Sequence, residues 1–468
     1  MTGSGATPGV AAEPRSAPRP MLRTRDVVSL VIGIVVGAGI FSVPAVVAAN
    51  AASGDAVMLA WLAGGVLSLA GAMCYAELAT AHPHAGGEYH FLRLAFGDKL
   101  AFLFAWARLT VIPTGSIALL AFVFGDYASQ LLSLGVTHSA SIYAALVIVV
   151  LTALNAIGLQ SGKRTQNLLT ILQVGGVVAI ILAGLLLSPS VTATPALFEA
   201  GEASNWGLVL IFVMLAYGGW NEAAYVSAEV VGPTRNLPRA LFWSLGAITA
   251  LYLLMNFAYL RVLGLQGMGD SQAIAADMMQ RVLGGTGAGL ISAVVAVAAL
   301  TSTNATILMA ARTTFAFGRV APMFRVLGRW HPRLDAPVNA LLAQSAIAVA
   351  LVLLGTLTRQ GFVTMVEYTA PVFWLFFLLT GIALFVLRIR APDAPRPFRV
   401  PWYPLTPLVF CAMCGYLLYA SLRHTGIGAL VGLAVLAVGA LVLLIGGERA
   451  VPPRAHSTAD PNVPLPTD

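Results

Sequence analysis

Charged residues are scarce in this chain. Asp, Glu, Lys and Arg make up 10% of the 468 residues, hydrophobic residues make up 58%, and the mean hydropathy is +0.85. Soluble domains carry roughly 25% charged residues, so this shortage excludes an ordinary water-solvated globule. Cysteine is nearly absent too. Cys74, Cys411 and Cys414 all fall in apolar runs, where thiols behave as small hydrophobes and give no disulfide framework or metal site. His82, His84 and His90 lie close together, but no cysteine or second His group accompanies them, so no metal is expected. The sequence lacks a GxxxxGK[ST] loop, and the paired glycines of HAGGEY, His84 to Tyr89, follow an apolar helix instead of a strand, which argues against a phosphate cradle. Without a soluble stretch large enough to hydrolyse nucleotide, primary active transport is disfavoured. A convincing nucleophile–base pair is missing as well, so the chain is not read as an enzyme and no cofactor is expected.

What the chain has instead is apolar length. Runs of about 20 residues, each able to span a hydrocarbon core, recur about twelve times. The first starts near Asp26 and is too long for a cleaved signal, and the others are expected near 55–80, 99–125, 140–158, 166–188, 205–230, 240–263, 284–318, 338–356, 362–387, 403–421 and 425–446. Asp270 to Arg281 reads as a short helix outside the membrane. The ends, 1–25 and 449–468, are rich in small residues and proline and read as disordered tails. The net charge of +7 does not point to nucleic acid, because Lys and Arg sit in short loops between the runs. With the amino terminus inside, inner loops carry Arg93 and Lys99, Lys163 and Arg164, Arg235 and Arg239, Arg312 through Arg333, and Arg388 through Arg399, while outer loops carry only Arg261, Arg281, Arg359 and Arg423. That asymmetry places both termini in the cytoplasm, with the chain in a plasma membrane, as in a bacterial inner membrane.

Two of the runs are interrupted. The first carries Gly33, Gly37 and Gly39 through its middle and Pro44 at its end, and the sixth carries Gly218 and Gly219 within LAYGGWN. Each glycine in a helix interior costs about 1 kcal/mol relative to alanine. Broken helices persist in a bilayer only where the freed backbone groups are buried in protein or line a cavity, so the breaks point to a polar site near the midplane. Breaks at equivalent places in two five-run halves imply a five-plus-five inverted repeat, 26–188 and 205–387, with two trailing helices at 403–446.

Four ordered motifs, GIVVGAGIFSVP (Gly33 to Pro44), PHAGGEYHFLRLAFG (Pro83 to Gly97), YGGWN (Tyr217 to Asn221) and SAEVVGPTRNLPRA (Ser227 to Ala240), resemble the amino acid, polyamine and organocation (APC) superfamily, and most of all its L-type amino acid transporter branch. The resemblance implies an all-α integral membrane protein of the LeuT-like fold that holds an α-amino acid at the two breaks. A helix restarting near Gly37-Ala38-Gly39 and Ile40 offers free N–H groups and about half a positive charge to a carboxylate. Carbonyls at Ile34 to Val36 and at Leu215 to Gly218 suit an ammonium group. Gly218 and Gly219 leave room for a side chain beside Tyr217, Trp220 and Asn221. Packing alone is the alternative reading of the glycines and of Trp220.

The sequence departs from the family pattern in two places. Leu215 stands where L-type relatives have an aromatic gating residue. Gln173 stands where many have a lysine whose ammonium takes the place of sodium, and its amide cannot lose a proton, although it could still bridge the first and eighth spans. Thr301, Ser302, Thr303, Asn304 and Thr306 form a polar cluster on the eighth span, able to ligate sodium or to hydrogen-bond across helices. Of the ionisable residues in spans, Glu229 matches a family glutamate expected to pair with inner arginines in a gate, Glu77 is expected to pack at the inner end of the second span, and Arg108, Glu222 and Glu367 are left unassigned.

The reading is a secondary transporter of neutral L-amino acids, an exchanger or facilitator working by alternating access. Alternatives are a proton- or sodium-coupled symporter, a polyamine carrier, or a membrane amino acid sensor. Animal L-type relatives join a glycoprotein through a cysteine between spans three and four; the loop from Asp126 to Ser139 has none, so no disulfide-linked heavy chain is expected.

Overall fold

The computed structural model describes residues 22–84, 86–132, 134–136, 138–157, 159–187, 204–271, 273–331, 334, 336–358, 361–424 and 426–446. The terminal segments expected to be tails lie almost wholly outside these residues. Among them there is no β-strand, and sixteen α-helices follow in order: α1 (Thr24–Val35), α2 (Val43–Asn50), α3 (Gly54–Ala81), α4 (Glu88–Phe96), α5 (Asp98–Thr110), α6 (Ile112–Leu131), α7 (Ser139–Ile157), α8 (Leu159–Leu186), α9 (Trp206–Ala216), α10 (Pro233–Gly269), α11 (Ile274–Leu283), α12 (Gly285–Val320), α13 (Val338–Thr358), α14 (Gly361–Arg390), α15 (Leu405–His424) and α16 (Gly426–Gly446). Short 3₁₀ segments stand at Ala38–Phe41, Trp220–Glu229 and Pro322–Phe324.

Nine of these helical stretches are long and apolar enough to cross a bilayer, and the pair Trp206–Ala216 and Trp220–Ser227, bent by 41°, makes a tenth. Part of the shortfall from the about twelve expected has a physical origin: the first run is divided into pieces of 12, 4 and 8 residues. The third run is one span with a step at Val111, where Pro113 enters the first turn of α6. The seventh ends where expected, at Gly264, whose φ of 72° interrupts α10. The short helix expected at Asp270 to Arg281 forms as α11.

Apolar side chains cover the outside as well as the core. Leu59, Val66, Ile171, Leu186, Leu353 and Leu444 are exposed, the pattern of helices solvated by lipid. Inside, α3 runs along α10, α6 along α12, and α14 packs on α15 and α16. Glu77 at the end of α3 holds this arrangement at one rim: Arg388 of α14 donates to both its oxygens at 2.7 and 2.5 Å, and the Val400 amide donates at 2.6 Å. The position expected for Glu77, packed at the end of the second span, is the one observed. Arg388 also lies 3.7 Å from the centre of the Tyr403 ring, which ties down the loop after α14.

Helix contacts this close depend on small residues. A Cβ added to Gly125 of α6 would stand 2.0 Å from the Ala140 carbonyl oxygen of α7, whereas one added to Gly175 of α8 would meet nothing within 4 Å. Gly125→Ala should therefore destabilise the protein by about 1–3 kcal/mol through overpacking, while Gly175→Ala should be neutral or stabilise by up to about 1 kcal/mol through helix propensity. Thermal unfolding of the two variants in detergent checks this difference.

Candidate functional site

Both interruptions form where glycine predicts them. α1 stops at Val35, Val36 leaves the helical region (φ −73°, ψ 65°), Gly37 is extended, and a 3₁₀ turn begins at Ala38. α2 then restarts at Val43 with Pro44 in its first turn. α9 stops at Ala216, and Gly219 with φ 110° turns the chain into the 3₁₀ segment at Trp220. Only glycine takes that φ without strain, and space demands it too: a Cβ on Gly219 would lie 2.4 Å from Cγ2 of Ile34. A Cβ on Gly39 would lie 3.3 Å from Cα of Ala216, and one on Gly37 would lie 2.7 Å from Oγ of Ser302. The glycines thus serve both break and contact, bringing the two interruptions and α12 together.

A residue unremarked in the sequence closes the joint. The buried Tyr252 of α10 points its hydroxyl at the last carbonyls of both helices, 2.7 Å from Val35 O and 3.0 Å from Ala216 O, sharing one proton between them. Its ring meets Trp61 edge-on at 5.2 Å and Tyr217 at 5.0 Å, and Tyr217 donates to Trp61 O at 3.0 Å. The stopped ends of α1 and α9 therefore meet at one joint, where Gly37 N also donates to Val35 O at 2.7 Å and Gly218 N to Leu215 O at 3.0 Å.

The other expected site residues divide. Val36, Ile40 and Tyr217 are buried around the joint, and Leu215 is half-buried. Trp220 is a packing residue, enclosed by Tyr75 at 5.1 Å, Phe377 at 5.6 Å and Phe410 at 6.3 Å. Asn221 gives its amide to Glu88 at 3.1 Å. Ser302 donates to the Gly33 and Ile34 carbonyls at 3.3 and 3.4 Å, while the hydroxyls of Thr301, Thr303 and Thr306 bond to carbonyls of their own helix.

Gln173 does not bridge spans one and eight. It is fully buried and neither amide atom has a hydrogen-bond partner. Gln166, two turns earlier on α8, takes that place: its Oε1 accepts from Asn304 at 3.0 Å, its Nε2 lies 3.4 Å from Thr170 Oγ1, and both it and Thr170 press on Gly33. Asn155 of α7 continues the chain by donating to Asn304 at 2.7 Å. The side chains of Glu229 and Glu367 lie outside the described residues.

The unassigned charges pair with each other. Arg108 of α5 donates to Glu222 at 2.7 and 3.0 Å, and its guanidinium sits 4.5 Å from the centre of the Tyr225 ring. Beside this pair is Glu88, buried and bonded to Tyr75 and Tyr225 at 2.6 and 2.8 Å. Burial pushes the Glu88 carboxyl up from its ordinary value, against the pull of Arg108 and the tyrosine hydroxyls. His84 and His90 stack at 4.3 Å, and burial pushes His82, His84 and His90 below 6.5, His90 to about 3. No metal-ligating cluster occurs among the described residues. Glu88 lies in the Pro83 to Gly97 motif without an assigned role; a carboxylate next to paired glycines is the signal that the sequence offers for it.

A family model described as amino acid permease matches residues 22–444. The chain belongs to the amino acid permease family. The permease is 31% identical over 402 residues to b(0,+)-type amino acid transporter 1 of Mus musculus, covering 84% of this chain and 81% of that one. It is 29% identical over 432 residues to large neutral amino acids transporter small subunit 2 of Mus musculus, covering 89% and 79%. It is also 29% identical over 419 residues to the serine/threonine exchanger SteT of Bacillus subtilis (strain 168), covering 88% and 94%. These likenesses agree with the superfamily and branch that the motifs indicate, a family of membrane transporters.

The buried Arg108–Glu222 pair in the permease sets a sharp expectation. Breaking a buried pair by removing one partner costs about 3–5 kcal/mol, whereas replacing both with apolar residues costs far less. Arg108→Met and Glu222→Leu should each lower the unfolding temperature strongly, and the double variant should recover most of the loss in the same thermal scan.

Proposed function

We propose that this permease exchanges or facilitates the movement of neutral L-amino acids across a plasma membrane by alternating access. The observation that carries the reading is the joint itself, where the stopped ends of two broken helices approach closely around Gly37, Gly39, Ala216 and Gly219. The substrate carboxylate is held by amides from Ala38 to Ile40, and the ammonium by carbonyls at Ile34 to Val36 and Leu215 to Gly218. The substrate side chain lies towards Gly218, with Leu215 and Tyr217 beside it. Residues 26–188 and 205–387 act as inverted repeats, 403–446 add two helices, and both termini are cytoplasmic, in keeping with the arginine-rich loops.

Gln173 supports exchange without ion coupling. An amide holds no exchangeable charge at neutral pH, so Gln173 supplies neither a titratable proton nor a fixed cation. The partners are the amino acid and the bilayer; a heavy chain linked through the loop between α6 and α7 is not required, because that loop has no cysteine. A second reading, sodium symport, draws on one feature: the Ser302 hydroxyl lies beside the Gly33 and Ile34 carbonyls, oxygen donors that suit a hard cation.

Uptake into liposomes holding the purified protein decides between them. Labelled leucine, alanine and arginine are offered with and without internal amino acid, and with sodium or pH gradients imposed. The expected result is leucine or alanine uptake accelerated several-fold by internal neutral amino acid and indifferent to both gradients. Uptake concentrated by a sodium gradient establishes the second reading, and binding without flux of any of the three overturns transport.

A further inference from the structure

Glu88 stands out from the rest of the structure because a carboxylate is almost never buried without a cation, and this one is served by neutral donors. Its Oε1 accepts from the Tyr75 hydroxyl at 2.6 Å and from the Asn221 amide at 3.1 Å, and its Oε2 accepts from the Tyr225 hydroxyl at 2.8 Å. Tyr75 belongs to α3, whereas Asn221 and Tyr225 belong to the 3₁₀ half of the second broken helix, and both reach Glu88 of α4. The nearby guanidinium of Arg108 is already engaged by both oxygens of Glu222. Gly87 makes the approach possible: its φ is 46°, and a Cβ there would lie 2.6 Å from Cδ1 of Tyr225. Two further contacts close the same seam, Ser227 Oγ to His84 O at 3.4 Å and the Val231 amide to Leu22 O at 2.9 Å.

We propose that Glu88 is a positioning residue of the permease, the latch that holds the 3₁₀ half of the second broken helix closed over the substrate site from the side of the arginine-rich loops. The inference rests on the transport reading above for its purpose, and on the hydrogen bonds for its existence. Hydrogen bonds to a charged acceptor are about twice as strong as neutral ones, so the two from Asn221 and Tyr225 hold the segment to Glu88 while the one from Tyr75 holds Glu88 to α3. They are also suited to release. The donors are neutral, so water can replace them on the carboxylate once the segment swings away, whereas the Arg108–Glu222 pair is bound charge to charge. The buried pair anchors the 3₁₀ half to α5, and Glu88 sets how readily Asn221 and Tyr225 leave α3 and α4.

The test is hydrogen exchange of the full-length protein in detergent, read by mass spectrometry, on Glu88→Gln, Tyr225→Phe and the double variant. The expected result is exchange at least tenfold faster in residues 84–92 and 220–230 for each single variant, with other segments within twofold of the parent and the double variant adding less than twofold. In liposomes, Glu88→Gln should shift the half-saturating substrate concentrations on the two faces in opposite directions, which damage to packing alone does not do. Tyr225→Phe removes one hydroxyl and keeps its ring, so it carries the test if Glu88→Gln fails to fold. Unchanged exchange in both segments, or acceleration spread evenly over the chain, overturns the latch. Selective acceleration in a parent that moves no amino acid upholds the latch and removes the transport reading instead.

Discussion

A helix can stop inside a hydrocarbon layer only if something else satisfies the peptide groups it abandons. In this permease two helices stop at the same depth and answer much of that demand together. The hydroxyl of Tyr252 serves the last carbonyls of both, Ser302 serves two more on the first, and Gly219 and Gly39 let the stopped ends approach closely enough for this to happen. The joint is thus a consequence of backbone accounting, with Tyr252 and Ser302 acting as supports, and the proposed amino acid site is placed where the two helices stop.

Around that joint the polar groups are of two kinds. Glu77 with Arg388, and Arg108 with Glu222, are close charge pairs in surroundings where separating them is expensive. They mark parts of the bundle that stay together. Glu88 with Tyr75, Asn221 and Tyr225, and the amide chain through Asn155, Asn304 and Gln166, depend on neutral donors. Such contacts exchange for water more cheaply, and they run along the faces where the broken helices meet their neighbours. The two kinds of contact therefore differ in what it costs to separate them.

The breaks were legible in sequence because glycine and proline act locally: Gly37, Gly39, Gly218, Gly219 and Pro44 interrupt a helix whatever it packs against. The runs were legible because lipid imposes hydrophobic length. Contacts across helices were not, since they depend on rotation and register that no local pattern fixes. Gln173 illustrates this. Gln166 and Thr170 share its face of α8, and only the depth at which α1 crosses α8 decides that Gln166 meets Asn304 and Gly33 while Gln173 finds no hydrogen-bond partner. Trp220 looked available to a ligand beside two glycines, but the 3₁₀ geometry that follows Gly219 turns it into the Tyr75, Phe377 and Phe410 cluster. Tyr252 and Glu88 carried almost no local signal, although each joins three elements.

The central claim is that backbone groups at the two breaks recognise the charged ends of an amino acid. Its most direct test is calorimetric binding of L-leucine, of leucine methyl ester, which lacks the carboxylate, and of 4-methylpentanoate, which lacks the ammonium. The account predicts that either deletion weakens binding by at least a hundredfold, about 2.7 kcal/mol, while replacing leucine by another neutral amino acid changes it much less. Binding of the ester or the acid within a few fold of leucine would contradict it.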